Sequence, residues 1–122
     1  MAAGTTLGTA QRTAKPTRRR AIVVLVTAGS RKTADTIARA LVAERLAACV
    51  SVLPGIRSIY RWRGRVADDA EWLLLIKSRR SRFAALAARV HALHPYDVPE
   101  VVALEIVEGS APYLQWLFDE TR

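Results

Sequence analysis

The residues able to do chemistry are few, and they fall into three groups. Cys49 is the only thiol of the 122-residue chain, in the run Leu46-Ala47-Ala48-Cys49-Val50. It reads either as a small buried hydrophobe or as a soft metal ligand. Met1 is the only other sulfur, so one chain cannot build a sulfur-rich copper(I) site. Three Cys49 thiols could do so only around a shared axis. His91 and His94 stand three apart and can share a helical face, as zinc pairs do, but no HExxH pattern accompanies them. His91 reads as a surface residue. His94 opens the turn His94-Pro95-Tyr96, as a backbone-bonded turn residue or as a metal contact.

Tyr60, Trp62, Lys77, Tyr96, Asp97 and Glu100 make the third group. Strand alternation puts Tyr60 and Trp62 on one face. Lys77 ends an apolar run, where a cation must snorkel, pair with a carboxylate or meet an anionic ligand. Glu100 is its expected partner. The set reads either as an aromatic patch between copies of the chain with a buried Lys77–Glu100 pair, or as a cleft that binds a small anionic ligand or a metal.

The elements that must hold these groups are legible in order. Residues 1–20 contain five of the chain's 19 basic residues and no acid, and read as a disordered basic tail. Residues 21–122 read as one domain. Ala21 to Thr27 is an apolar run suited to a buried strand, and Ser30 caps a helix reaching to about Leu46. Ala48 to Lys77 reads as a long two-stranded ribbon, interrupted at Pro54-Gly55 and turning near Arg63-Gly64-Arg65. Ser81 opens a second helix, which His94-Pro95 ends. Val98 to Val107 reads as the last strand, and Ser110 with Pro112 starts a final helix. That helix is apolar on most sides, and Tyr113, Trp116 and Leu117 are its expected contacts with another copy.

The order strand–helix–strand–strand–helix–strand–helix predicts an α+β, ferredoxin-like split β-α-β sandwich with a long β-hairpin and an extra C-terminal helix. Its two helices would cover one face of the sheet and leave the other bare, which points to closed self-association.

Composition bounds the function. The net charge is +8, but most of the excess sits in the first twenty residues. Arginines 57, 61, 63, 65, 79, 80 and 82 could attract phosphate, yet no nucleic-acid motif accompanies them, and no nucleic-acid partner is expected. No apolar run is long enough for a membrane span, no secretory signal is visible, and a single cysteine fits a reducing compartment, so a cytoplasmic location is expected. With no glycine-rich phosphate loop, nucleophile elbow or metalloprotease motif, the chain does not read as an enzyme.

Several segments, in this order and spacing, resemble the CutA divalent-cation tolerance family. They are Leu46-Ala47-Ala48-Cys49-Val50, Pro54-Gly55, Ser58-Ile59-Tyr60-Arg61-Trp62-Arg63-Gly64, Leu74-Leu75-Ile76-Lys77, His94-Pro95-Tyr96-Asp97-Val98-Pro99-Glu100 and Tyr113-Leu114-Gln115-Trp116-Leu117. The resemblance covers about residues 21–120. It implies a tight homotrimer of ferredoxin-like subunits, similar in form to PII-type signalling proteins, with copper or another divalent cation as ligand and none obligatory. His94, Glu100 and Cys49 are then the expected metal contacts, at or near clefts between subunits. Members with a proposed copper site carry a thiol near the end of the first strand. Here that segment is Val26-Thr27-Ala28, and of those positions only His94 remains. Ser51 stands where many members have asparagine. A second reading follows from the missing thiol, Lys77 and the aromatic pair: a PII-like trimeric sensor or adaptor that binds a small anionic metabolite at the subunit interface.

Overall fold

Strand β1, Ala21–Ala28, sets the layering. Its even-numbered residues Ile22, Val24, Val26 and Ala28 are buried, while Val23, Leu25 and Thr27 are only half-covered. Successive strand side chains point to opposite faces, so one face of the sheet is packed and the other is not. The computed structural model describes residues 20–122. After β1 come α1 (Arg31–Ala43), β2 (Cys49–Trp62), β3 (Arg65–Arg79), α2 (Phe83–Leu93), β4 (Val102–Glu105) and α3 (Ala111–Glu120). The four strands are ordered β2-β3-β1-β4, all neighbours antiparallel. This is the ferredoxin-like α+β arrangement that the element order predicts.

The packed face carries the core. Val24, Val26, Leu74 and Ile76 from the strands meet Ala34, Ile37 and Leu41 of α1 and Leu86 and Val90 of α2. The periodicity of α1 explains its docking, since its apolar residues recur along one stripe. Ser30 caps it, its Oγ accepting from the Thr33 N–H at 3.1 Å. The helix stops at Ala43, short of the expected Leu46, because Arg45 takes a left-handed conformation (φ 61°). The chain then folds back, and the N–H groups of Leu46 and Ala47 donate to the Leu41 carbonyl. A short 3-10 turn, Arg80–Arg82, precedes α2, so the α-helix proper begins after Ser81.

The other face presents rows set by strand register. One runs Leu104–Val23–Lys77–Cys49, the next Val102–Leu25–Leu75–Ser51, the third Thr27–Leu73–Leu53. Helix α3 lies at one end of this face. Leu117 is fully buried there against Ala21 and Ala48, with Ile106, Leu114 and Phe118 around it. The second face is therefore bare only in part. The last carbonyls of α3, which have no partners within the helix, are taken by arginines. Arg79 donates to Phe118 O and, at 2.9 Å, to Thr121 Oγ1; Arg82 donates to Thr121 O at 2.8 Å and Arg45 to Asp119 O at 2.7 Å. Two of the arginines read as phosphate-attracting thus bind their own chain.

Two boundaries differ from expectation. β4 covers Val102–Glu105 rather than Val98 to Val107. Pro99 has no N–H to donate, and β1 offers partners only from Leu25 back to Ile22, so residues 98–101 run as a loop. The tail expected over 1–20 lies outside the described residues except for Arg20, which is tied to the body: its carbonyl accepts from the Arg80 N–H and its guanidinium pairs with Glu105.

Ile76 is fully buried between the sheet and both helices. Ile76→Ala should destabilise the fold by ~2–5 kcal/mol, read from the urea midpoint at fixed protein concentration. An unshifted midpoint would contradict this packing.

Candidate functional site

The ribbon of β2 and β3 is longer than the sheet it belongs to, and its register decides what lies at its base. Leu53 pairs with Leu73, but the next pair is Ile56 with Glu71, so β2 carries one extra residue at Pro54-Gly55. A one-residue bulge inverts which side chains face which way beyond it. As a result Ser58, Tyr60 and Trp62, opposite Asp69, Ala67 and Arg65, share a side with Glu71. Arg63 and Gly64, both at positive φ (51° and 77°), make the two-residue turn, a left-handed pair that suits a hairpin.

The loop after α2 closes the other wall. Pro95 cannot continue the helix, and His94 is its C-cap. The His94 ring is almost completely buried. Its Nε2–H donates to the Thr27 carbonyl at 2.7 Å, and its Nδ1 accepts from the Tyr96 N–H at 3.2 Å. These two bonds specify the neutral tautomer protonated on Nε2. The His94 and Tyr96 rings pack with centroids 4.5 Å apart. Tyr96 then reaches the ribbon, where its hydroxyl donates to Glu71 Oε2 at 2.8 Å. Gly29 allows this approach, since a Cβ there would lie 2.7 Å from the Tyr96 hydroxyl.

Between these walls is a cavity of about 380 Å³, lined by Tyr60, Trp62, Tyr96, Glu71, Asp97 and Glu100 together with Thr27, Ser58 and Val98. Among the described residues, its lining has three carboxylates and no Lys or Arg. Burial and the bond to Glu71 push the Tyr96 phenol up to about 12. The Tyr60 phenol is also raised, chiefly because it donates to Asp69. Both therefore remain neutral donors at ordinary pH. Such a surface attracts cations, through the carboxylates and the faces of the aromatic rings.

The other expected site residues separate from this cleft. Lys77 does not pair with Glu100; its Nζ donates to Ser51 Oγ at 2.7 Å and to the Leu75 carbonyl at 3.2 Å. It lies opposite Val23 and Cys49, six residues along β3 from Glu71 and the cleft. His94 has both ring nitrogens engaged and so offers no lone pair to a metal in this arrangement. Cys49 is half-buried on the open face, apart from His94 and Glu100. Among the described residues, no three His, Cys, Asp or Glu side chains are placed to share one metal ion. His91 is exposed, its Nδ1 near the Ala87 carbonyl. Tyr113 and Trp116 are exposed on α3 with ring centroids 5.6 Å apart. Leu117 is not available to another copy, because the amphipathic turn of α3 directs it inward onto Ala21 and Ala48.

Glu71 and Asp69 are the site residues that the sequence reading passed over. The signal was available: in Asp68-Asp69-Ala70-Glu71, strand alternation separates Asp68 from Asp69 and Glu71. Asp68 pairs with Arg57 on the far side.

Because the Tyr96 phenol is raised in the folded chain above its ordinary value of 10.0, its contribution favours the fold below about pH 10 and is lost as pH climbs toward 12. In a spectrophotometric alkaline titration, Tyr96→Phe should remove the last phenolate to form, and Glu71→Gln should move that step to lower pH. An unchanged final step in both variants would contradict the Tyr96–Glu71 bond.

Comparison with known proteins places this geometry in a family. Residues 22–120 match the family described as CutA1 divalent ion tolerance protein. A divalent-cation tolerance protein CutA from Thermus thermophilus is 58% identical over 99 residues, which is 81% of this chain and 96% of that protein. The chloroplastic CutA protein of Arabidopsis thaliana is 50% identical over 101 residues, 83% of this chain and 56% of that longer protein. The solved structure of the Thermus thermophilus protein superposes with a TM-score of 0.82 at 56% identity, covering 84% of this chain and 99% of that one. CutA1 from Oryza sativa gives 0.83 at 48% identity, over 88% and 98%. The chain belongs to the CutA1 divalent ion tolerance family.

Proposed function

We propose that the chain is a self-assembling, cation-binding protein of divalent-metal tolerance, in which three copies associate and a divalent cation is held at or near the clefts between them. The observation that carries this reading is the lining of the cleft: among the described residues, three carboxylates and no basic side chain. Asp97 and Glu100 are exposed at its rim, free to turn toward a cation. Oxygen donors suit hard and borderline divalent ions. Since the described residues of one copy do not gather three donors, the reading requires a second copy to complete the coordination.

Association is supported by what the subunit leaves uncovered. Val102, Leu104, Tyr113 and Trp116 are all exposed, and so is Ile59 on the projecting ribbon. Aromatic residues in such a patch are typical of protein interfaces. The same acid-rich lining disfavours the alternative of an anionic metabolite, because Lys77, its expected counter-charge, is engaged with Ser51. The role proposed is binding, not catalysis. A cytoplasmic setting belongs to the proposal and is supported by the single unpaired thiol; among the described residues no helix is long and apolar enough to cross a membrane.

Two measurements test this reading. Calorimetric titration with copper(II), zinc(II) and magnesium should show saturable uptake that Asp97→Asn with Glu100→Gln weakens about tenfold or more, while Cys49→Ser leaves it intact. Equal affinity in the double variant would remove the cleft from the account. Trp116→Glu should shift the assembly toward smaller species in sedimentation velocity, and an unchanged sedimentation profile would take α3 out of the interface.

A further inference from the structure

The cleft has three properties that a bare metal ion does not use. Its volume, about 380 Å³, falls within the ~300–1,000 Å³ of small-molecule sites. Its carboxylates do not converge closely enough to share one ion. Its walls include Tyr60, Trp62 and Tyr96, between 40% and 45% exposed although they are the largest rings of the region. Trp62 already carries one cation, the Arg63 guanidinium, 5.5 Å from the ring centroid.

Glu71 supplies an independent observation. Its residue is only 6% exposed, yet it borders the cavity. Tyr96 satisfies Oε2, and among the described residues Oε1 has no donor. A buried carboxylate oxygen without a partner is costly. A cationic N–H donor entering the cavity would meet that need, which a hydrated metal held at the rim would not.

We propose that the cleft binds a linear aliphatic diamine. One ammonium group donates to the free oxygen of Glu71 at the base, the methylene chain lies along Trp62 and Tyr60, and the second ammonium meets Asp97 and Glu100 at the rim. The carboxylates do not gather around one metal ion; one is buried at the base and two are exposed at the rim, an arrangement that offers separate partners to the two ends of a chain. The aromatic faces add cation–π attraction to apolar contact. This inference rests on the reading of the cleft as a cation site and names a different class of cation for it.

The test is calorimetric titration of the full chain with 1,4-diaminobutane at low ionic strength, with 1,4-butanediol as the uncharged control. Saturable binding of one diamine per chain is expected, and none of the diol. Affinity should fall about tenfold in Glu71→Gln and several-fold in Trp62→Ala. Asp97→Asn, at an exposed loop position that the fold does not depend on, should also weaken it and keeps the test valid if the other variants misfold. Absence of saturable diamine binding, or equal affinity in all three variants, would overturn the inference. Uptake of divalent metal without diamine overturns this inference alone. Diamine binding lost in Glu71→Gln, without metal uptake, supports it and overturns the metal reading. Binding of neither overturns both.

Discussion

Everything in this subunit depends on the one-sided covering of an antiparallel sheet. The alternation of β1 and β3 sends Val24, Val26, Leu74 and Ile76 into a helix-covered core. The same alternation forces Val23, Leu25, Leu73 and Leu75 onto the opposite face. Helix α3 closes one end of that face through Leu117, and three arginines hold its C-terminus in place. The loop carrying His94 and Tyr96 reaches over the other end of the face at Thr27 and Glu71, and no helix of the described chain covers the rows between. The fold thus produces a stable half and an adhesive half from the same strands, and burial of the second half is what association would supply.

The cleft depends on a second, smaller constraint. Beyond Pro54-Gly55 the ribbon has changed parity. Without the extra residue, Arg57, Ile59 and Arg61 would occupy the side that Ser58, Tyr60 and Trp62 now hold. A cleft walled by two arginines would select anions. The bulge is therefore what brings aromatic rings to the pocket and keeps Arg57 and Arg61 on the other side, although it contributes no side chain to it. His94 acts in a comparable way. Its ring ties the last loop to β1 and aligns Tyr96 for Glu71, so its effect on the site is positional.

Much of this was legible in the sequence, where local chemistry dictated structure. Ser30 as a cap, Pro95 as a helix stop, Pro54-Gly55 as a bulge and Arg63-Gly64 as a turn all follow from single-residue backbone preferences. The α+β order follows from hydrophobic period. The shortened β4 was not legible, because strand length there is set by the partners that β1 can offer. Grouping of Tyr60 and Trp62 followed from alternation, whereas the separation of Lys77 from Glu100 needed the register of β2 on β3, which placed Ser51 within reach of the ammonium. Leu117 illustrates the same limit: an apolar helix demands a partner surface, but the sequence does not say whether that surface is its own sheet or another copy.

Two further copies of the chain are proposed to complete the uncovered half of the sheet. Sedimentation equilibrium of the metal-free protein at tens of micromolar tests this most directly. One species at three times the 13.5 kDa chain mass, persisting on dilution, is expected. A species at the mass of a single chain would contradict it.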